Sequence, residues 1–170
     1  MGARPDKHPG VFKTATNQAG STVFVAPELV QGTLIQGFDL YRSLDTPFAR
    51  AVYLMFLVAE VHPFTDGNGR ISRIMMNAEL LAAGEERIII PTVLRDSYIS
   101  SLKALSHRAD PRPFIRVITF AQRWVAAIPW ASLATTTAVL TSCHAFLESQ
   151  EAEDQGVGLR LPDGLPPGYA

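Results

Sequence analysis

The chain has 170 residues, 47% of them apolar and 18% charged, with a formal charge of −1. That is the length of one domain, enough to bury a core, and an ordinary globular composition on the oily side. The near-neutral charge leaves no footprint for nucleic acid or an anionic membrane, and a single cysteine, Cys143, excludes both an intramolecular disulfide and a cysteine-based zinc cluster.

Residues 1–10, "MGARPDKHPG", have almost no apolar content and read as a flexible arm without the apolar stretch of a signal peptide. In "VFKTATNQAGSTVFVA", from Val11 to Ala26, two β-rich pieces surround "NQAG", with Asn17 and Gly20 as turn residues, which predicts a short hairpin. Pro27 opens a predicted helix with Leu29, Val30, Leu34 and Phe38 near helical spacing, against which Gly32 and Gly37 weigh. Asp45-Thr46-Pro47 is a helix start. The segment from Pro47 to about Val61 is apolar on nearly every side, as a central buried helix would be. Its oiliest run is too short to span a bilayer and is stopped by Glu60 and His62.

A further helix is expected from near Gly69 or Arg70 to a stop at Gly84, followed by the extended link "ERIIIP". Two amphipathic helices follow, each with a proline near its start, and then "WASLATTTAVLTSCHAFLESQEAE" reads as one more helix. Cys143 lies on that apolar run and reads as a buried structural thiol. The Gly- and Pro-rich end has no periodicity and reads as a disordered or draped tail over 153–170. The expectation is all-α with one small N-terminal hairpin: an arm at 1–10, a domain at 11–152 and a tail. Such a chain is soluble and belongs in a reducing compartment, the cytoplasm, with secretion as an effector left open.

Between two strongly apolar segments stands "HPFTDGNGR", His62 to Arg70. Pro63 forces His62 out of the helical region, so the preceding helix ends there. Gly67 and Gly69 admit backbone conformations closed to other residues and let a ligand approach the main chain. The next helix begins with unpaired amides at the positive end of its dipole, a ready anion site. Arg70 and Arg73, three apart on one helix face, can add bidentate donors to phosphate oxygens. Asp66 is placed to hold Mg²⁺ on a bound polyphosphate, or to act simply as a cap or ion-pair partner. His62 is the one group here suited to shuttle a proton near neutral pH; Phe64 reads as a core plug that steadies the loop. The plainer readings are that His62 is a helix-terminal or core residue and Gly-Asn-Gly a turn. "GNGR" is not a P-loop, since no Gly-Lys-Ser/Thr follows.

"HPFTDGNGR" resembles the signature of the Fic-domain family, His-Pro-Phe-x-Asp/Glu-Gly-Asn-Gly/Lys-Arg, with every specified position filled, and Arg73 matches an arginine often found three residues on. The likeness extends to a flap-like region, "HPGVFKTATNQAGSTVFVAPELV", and to later helices around "YISSLKALSHRADPRPFIRVITF", covering roughly 8–128. The resemblance implies an all-α core with a hairpin flap near 11–26, and transfer of AMP from Mg-ATP to a protein hydroxyl (AMPylation). It implies His62 as general base for a Ser, Thr or Tyr hydroxyl and Asp66 as the Mg²⁺ ligand. Gly67, Asn68 and Gly69 would form the anion hole for the transferred phosphate, and Arg70 and Arg73 would grip the β- and γ-phosphates. The flap would align the target backbone by strand addition.

Family cores commonly carry a helix before the flap, whereas about ten residues precede it here. The chain accordingly reads as a fragment of a longer protein or as lacking part of the usual core. The family's inhibitory Ser/Thr-x-x-x-Glu-Gly/Asn pattern is approached only at Ser149 to Asp154, where an acidic helix end around Glu153 is the better reading. Partners on this reading are ATP, a hydroxyl-bearing target protein and room for a regulatory or antitoxin partner. The alternatives are transfer of phosphoryl, UMP or phosphocholine, or a nucleotide- or partner-binding module without turnover. Glycine rather than lysine at position 69 favours AMP. Tyr98 could line the nucleotide site but fits a core position on its helix better.

Overall fold

The computed structural model describes Asp6 and residues 8–163. It is all-α, with seven helices among the described residues and one two-stranded N-terminal hairpin. The chain divides into two compact units, Met1–Glu85 and Glu86–Ala170.

In the first unit, β1 (Gln18–Ala19) and β2 (Thr22–Val23) pair antiparallel, Gln18 with Val23 and Ala19 with Thr22. The hairpin is shorter than the sequence predicts, and its turn is displaced. Gly20 and Ser21 make the turn, Gly20 with φ +58, while Asn17 precedes the strand. A two-residue hairpin turn needs positive φ at its first position, which glycine supplies without a steric cost. A 3₁₀ turn at Pro27–Leu29 leads into α1 (Val30–Arg42). The two glycines that weigh against this helix have different explanations. Gly32 faces open space, whereas a Cβ on Gly37 would stand 2.4 Å from Leu57 Cδ1. Gly37 is where α1 makes its close approach to α2.

α2 (Pro47–Val61) starts as its sequence dictates, with Pro47 in the first turn and the Thr46 hydroxyl accepting from Ala49 N–H at 3.1 Å. Its all-round apolarity is used on two sides, because α2 packs most extensively against α3 (Asn68–Ala82) and also against α1. Met55, Met76 and Leu80 are fully buried, and Val30, Leu57 and Val61 form a core cluster with Val25, Leu34 and Tyr53. Each such side chain removed from water contributes about 1.5–3 kcal/mol. A polar tie joins the three helices: Glu79 of α3 accepts from the Tyr41 hydroxyl of α1 at 2.7 Å and from Arg50 Nε of α2.

In the second unit, a 3₁₀ turn at Thr92–Leu94 leads into α4 (Arg95–Arg108), which packs on α5 (Arg112–Ala127). The apolar stripe of α5, Phe114, Ile118, Ala121 and Trp124, is buried as its helical spacing predicts. Tyr98 is buried against Phe114, with ring centroids 6.3 Å apart, so it is a core residue.

The predicted single last helix is two, α6 (Leu133–Ser142) and α7 (Ser149–Asp154). The break falls at His144, whose φ is +63. That reversal turns Cys143 and Ala145 into a cluster with Trp124, Val125 and Ile128. Burial of these side chains outweighs continuation of a helix that has no buried residue of its own. Residues 155–163 return across the break: Arg160 N–H donates to Cys143 O at 3.2 Å, and Arg160 Nε to Ser142 O at 2.7 Å. Carbonyls orphaned at the end of α6 are thereby satisfied, while Leu159 and Leu161 pack on the cluster. The free thiol of Cys143 is buried, as expected. Most of the expected arm and the last seven residues of the expected tail lie outside the described residues. Among the described residues no helix is long and apolar enough to cross a membrane.

Candidate functional site

α2 ends where proline demands. His62 leaves the helix, and it does so into the left-handed region (φ 50, ψ 57) rather than the extended region proline usually favours. Positive φ is uncommon for a residue with a side chain. Here neighbours hold it on both sides: His62 N–H donates to Val58 O at 3.1 Å, and Pro63 O accepts from Lys13 N–H at 2.8 Å. The conformation swings the imidazole back over the last turn, where Nδ1 lies 2.9 Å from Ala59 O. A carbonyl can only accept, so Nδ1 carries the hydrogen and Nε2 of the neutral ring carries the lone pair. Phe24, just after β2, stacks on the imidazole with centroids 3.7 Å apart and planes 6° from parallel. Burial pushes the His62 pKa below its ordinary value; the Ala59 bond opposes this, the Lys13 charge adds to it, and Glu60 pulls the other way. Burial is the largest of these effects, so the neutral imidazole is favoured.

The loop after His62 is stapled by one side chain. Asn68, 3% exposed, accepts from Phe64 N–H at 2.8 Å and donates to Phe64 O at 2.8 Å. The sequence reading assigns Asn68 to an anion hole. The structure commits its side chain to the Phe64 main chain instead. Phe64 itself is half-buried against Phe12, with centroids 5.8 Å apart, and so is less of a core plug than expected. Gly67, at φ +82, turns the chain into α3. Its N–H donates to Asp66 Oδ1 at 2.6 Å, and its carbonyl accepts from Arg70 N–H and Ile71 N–H, each at 2.9 Å. The amides of Asn68 and Gly69 therefore precede the first intrahelical bonds, at the positive end of the helix dipole. Both guanidinium groups fold over glycine: a Cβ on Gly67 would stand 3.4 Å from Arg70 Nη2, and one on Gly69 3.5 Å from Arg73 Nη1.

These parts surround one cavity of about 320 Å³. All seven predicted residues line it: His62, Asp66, Gly67, Asn68, Gly69, Arg70 and Arg73. Asn17, Gln18 and Thr65 line it too, none of which the sequence singled out for the site. Nor did it single out Lys13, which is 4% exposed, donates to Asn17 Oδ1 at 2.7 Å and to Val61 O at 3.2 Å, and has its pKa lowered by burial. The available signal was a lone lysine within a β-rich apolar stretch, which reads equally well as a solvated edge residue.

Among the described residues no cluster of three or more His, Cys, Asp or Glu side chains could hold a metal unaided. Asp66, half-exposed at the cavity with Oδ2 3.8 Å from Arg70 Nη2, is a single carboxylate. That donor set fits Mg²⁺, which takes one or two carboxylates and completes its shell with water and phosphate oxygens.

The chain matches the Fic/DOC family over residues 2–80, a stretch that contains the whole site. It is 35% identical over 99 residues to a Fido domain-containing protein of Dictyostelium discoideum, covering 55% of this chain and 69% of that one. It is 30% identical over 153 residues to the protein adenylyltransferase fic-1 of Caenorhabditis elegans, covering 85% of this chain but 29% of that protein. Among solved structures, Fic-1 from C. elegans superposes with a TM-score of 0.57 at 31% identity, covering 70% of this chain and 36% of the other. The chain thus spans roughly a third of these adenylyltransferase relatives and about two thirds of the shorter Dictyostelium protein. A filled signature loop, a helix N-terminus flanked by two arginines and a hairpin beside it occur here together in one compact unit, and the chain belongs to the Fic/Fido family.

Proposed function

We propose that this site moves AMP from Mg-ATP onto a hydroxyl side chain of a target protein. The observation that carries the reading is the His62 geometry: Nδ1 is committed to Ala59 O, so Nε2 is the accepting nitrogen, in the same cavity as the amide-and-arginine cradle. The target hydroxyl gives its proton to Nε2 as its oxygen attacks the α-phosphorus. The new O–P bond forms as the bond to pyrophosphate breaks, and pyrophosphate carries the negative charge away. The main-chain amides of Asn68 and Gly69 receive the charge developing on the transferred phosphate. Arg70 and Arg73 hold the departing phosphates. Mg²⁺ on Asp66, when bound, neutralises phosphate charge. The site's work is then positioning and electrostatics with one proton transfer. The short hairpin beside the cavity supports a role in aligning an extended target segment, since Val23 of β2 is exposed.

Incubating the protein and a cell lysate with Mg²⁺ and ATP labelled at the α- or the γ-phosphate, beside His62→Ala, tests this reading. His62-dependent label passing to protein only from the α-position is the expected result. Label only from γ would mean phosphoryl transfer. Absence of label from both would move the reading to UMP, phosphocholine or binding without turnover.

A further inference from the structure

Lys13 is the most deeply buried charged side chain among the described residues, at 4% exposure. Burying an ammonium group is unfavourable unless its hydrogen bonds to water are replaced. Lys13 Nζ donates to Val61 O, one of the last carbonyls of α2, and to Asn17 Oδ1. A cation at a helix C-terminus is in its favoured place. Asn17 passes the contact on. Its Nδ2 donates to Phe64 O at 3.0 Å and lies 3.5 Å from His62 O. The amide orientation is forced, because ammonium only donates and carbonyls only accept. Lys13 N–H also holds Pro63 O. One short segment thus touches four consecutive residues, Val61 to Phe64, around the left-handed turn that aims the imidazole. Asn17 O also accepts from Phe24 N–H at 3.2 Å, and Phe24 carries the ring stacked on His62.

We propose that Lys13 and Asn17 form a polar brace that positions His62 and ties the hairpin to the base, so that hairpin and imidazole move as one piece. Neither residue touches the reacting atoms through this network; both are positioning residues. The inference rests on His62 being the base. The brace grips the end of α2 and the loop backbone, whereas the phosphate-binding amides and arginines belong to α3. Its loss is therefore felt in the proton-transfer geometry and not in ATP binding.

The test uses Lys13→Met, close in shape but uncharged; Lys13→Arg, which keeps the charge; and Asn17→Asp, which keeps an acceptor for Lys13 but loses the donor to Phe64 O. Nitrogen-15 shifts of the imidazole, measured above pH 8 without nucleotide and assigned against His62→Ala, report the His62 tautomer. Wild type is expected to show one Nδ1–H form. Lys13→Met and Asn17→Asp are expected to drift towards the tautomer mixture of a solvated ring. In the labelled-ATP assay their kcat falls about 10- to 100-fold, the scale of a misplaced catalytic group, with the ATP KM within about twofold. Lys13→Arg restores the tautomer and most of the rate. If Lys13→Met does not fold, Asn17→Asp decides alone. Folded variants that keep both the wild-type tautomer and the wild-type kcat overturn the brace. A tautomer shift in a protein that never transfers AMP would leave the brace standing and remove the AMP-transfer reading instead.

Discussion

Asn68 is where loop architecture and phosphate chemistry make different demands on one side chain. Asn68→Ala removes two 2.8 Å hydrogen bonds to the Phe64 main chain. Phe64 O keeps a partner, because Asn17 Nδ2 donates to it at 3.0 Å. The Phe64 N–H is left without the acceptor it has in wild type. A lost hydrogen bond costs about 1 kcal/mol and an orphaned donor about 1–3, with the low end appropriate to a half-exposed loop, so the expected loss is about 2 kcal/mol. For a chain of this size that lowers the melting temperature by about 4–8 °C. Urea unfolding, with the midpoint falling at unchanged slope, measures the same loss. kcat should fall with it, because the loop that carries Asp66 and Gly67 is released. Asn68→Asp sharpens the point: a carboxylate still accepts from Phe64 N–H but meets Phe64 O with no hydrogen, and its charge raises the KM for ATP. A side chain acting purely as an anion donor would lower kcat and leave stability alone. An Asn68→Ala protein with the wild-type urea midpoint would refute the staple.

The two glycines of α1 should separate cleanly under alanine: Gly32→Ala stabilises by up to about 1 kcal/mol from helix propensity, whereas Gly37→Ala adds an overpacking cost of about 1–3 kcal/mol against Leu57. Propensity cancels between the pair, so equal urea midpoints would show that the approach at Gly37 is loose. The rate of AMP transfer should fall on acidification with a midpoint below the ordinary histidine value of 6.5, because the lowered pKa keeps Nε2 available until the ring takes its second proton; a midpoint above 6.5 would contradict the burial argument. Glu79, its pKa held below the usual 4.5 first by Arg50 and then by Tyr41, contributes stability that is present above that value and lost as pH falls through the lowered one. Glu79→Gln should therefore be less stable than wild type at neutral pH, and the two urea midpoints should converge in acid.

Much of this protein was legible in its residues because the relevant forces are local. Pro47 behind a threonine cap starts α2 whatever surrounds it, Pro63 ends it, and Gly67 permits the turn that points the first amides of α3 at one spot. The all-α class and the seven cavity residues follow from such rules and from a signature loop whose positions are contiguous. What needed the folded chain were contacts between residues far apart in sequence. Lys13 lies 48 positions from the carbonyl it caps, and no periodicity announces that a lysine in a β-rich stretch will be buried at the end of a helix. Asn17 reads as a turn former because its usual competitor is its own backbone; here the Phe64 carbonyl, 47 positions on, takes its amide instead. Gly37 reads as a helix defect until Leu57 is seen against it. His144 ends α6 although nothing beside it breaks a helix, because burying Cys143 and Ala145 beside Trp124 outweighs one more turn of an exposed helix. Local rules chose where the chain could bend and which chemistry it carries, and only tertiary packing decided which polar groups hold that chemistry in place.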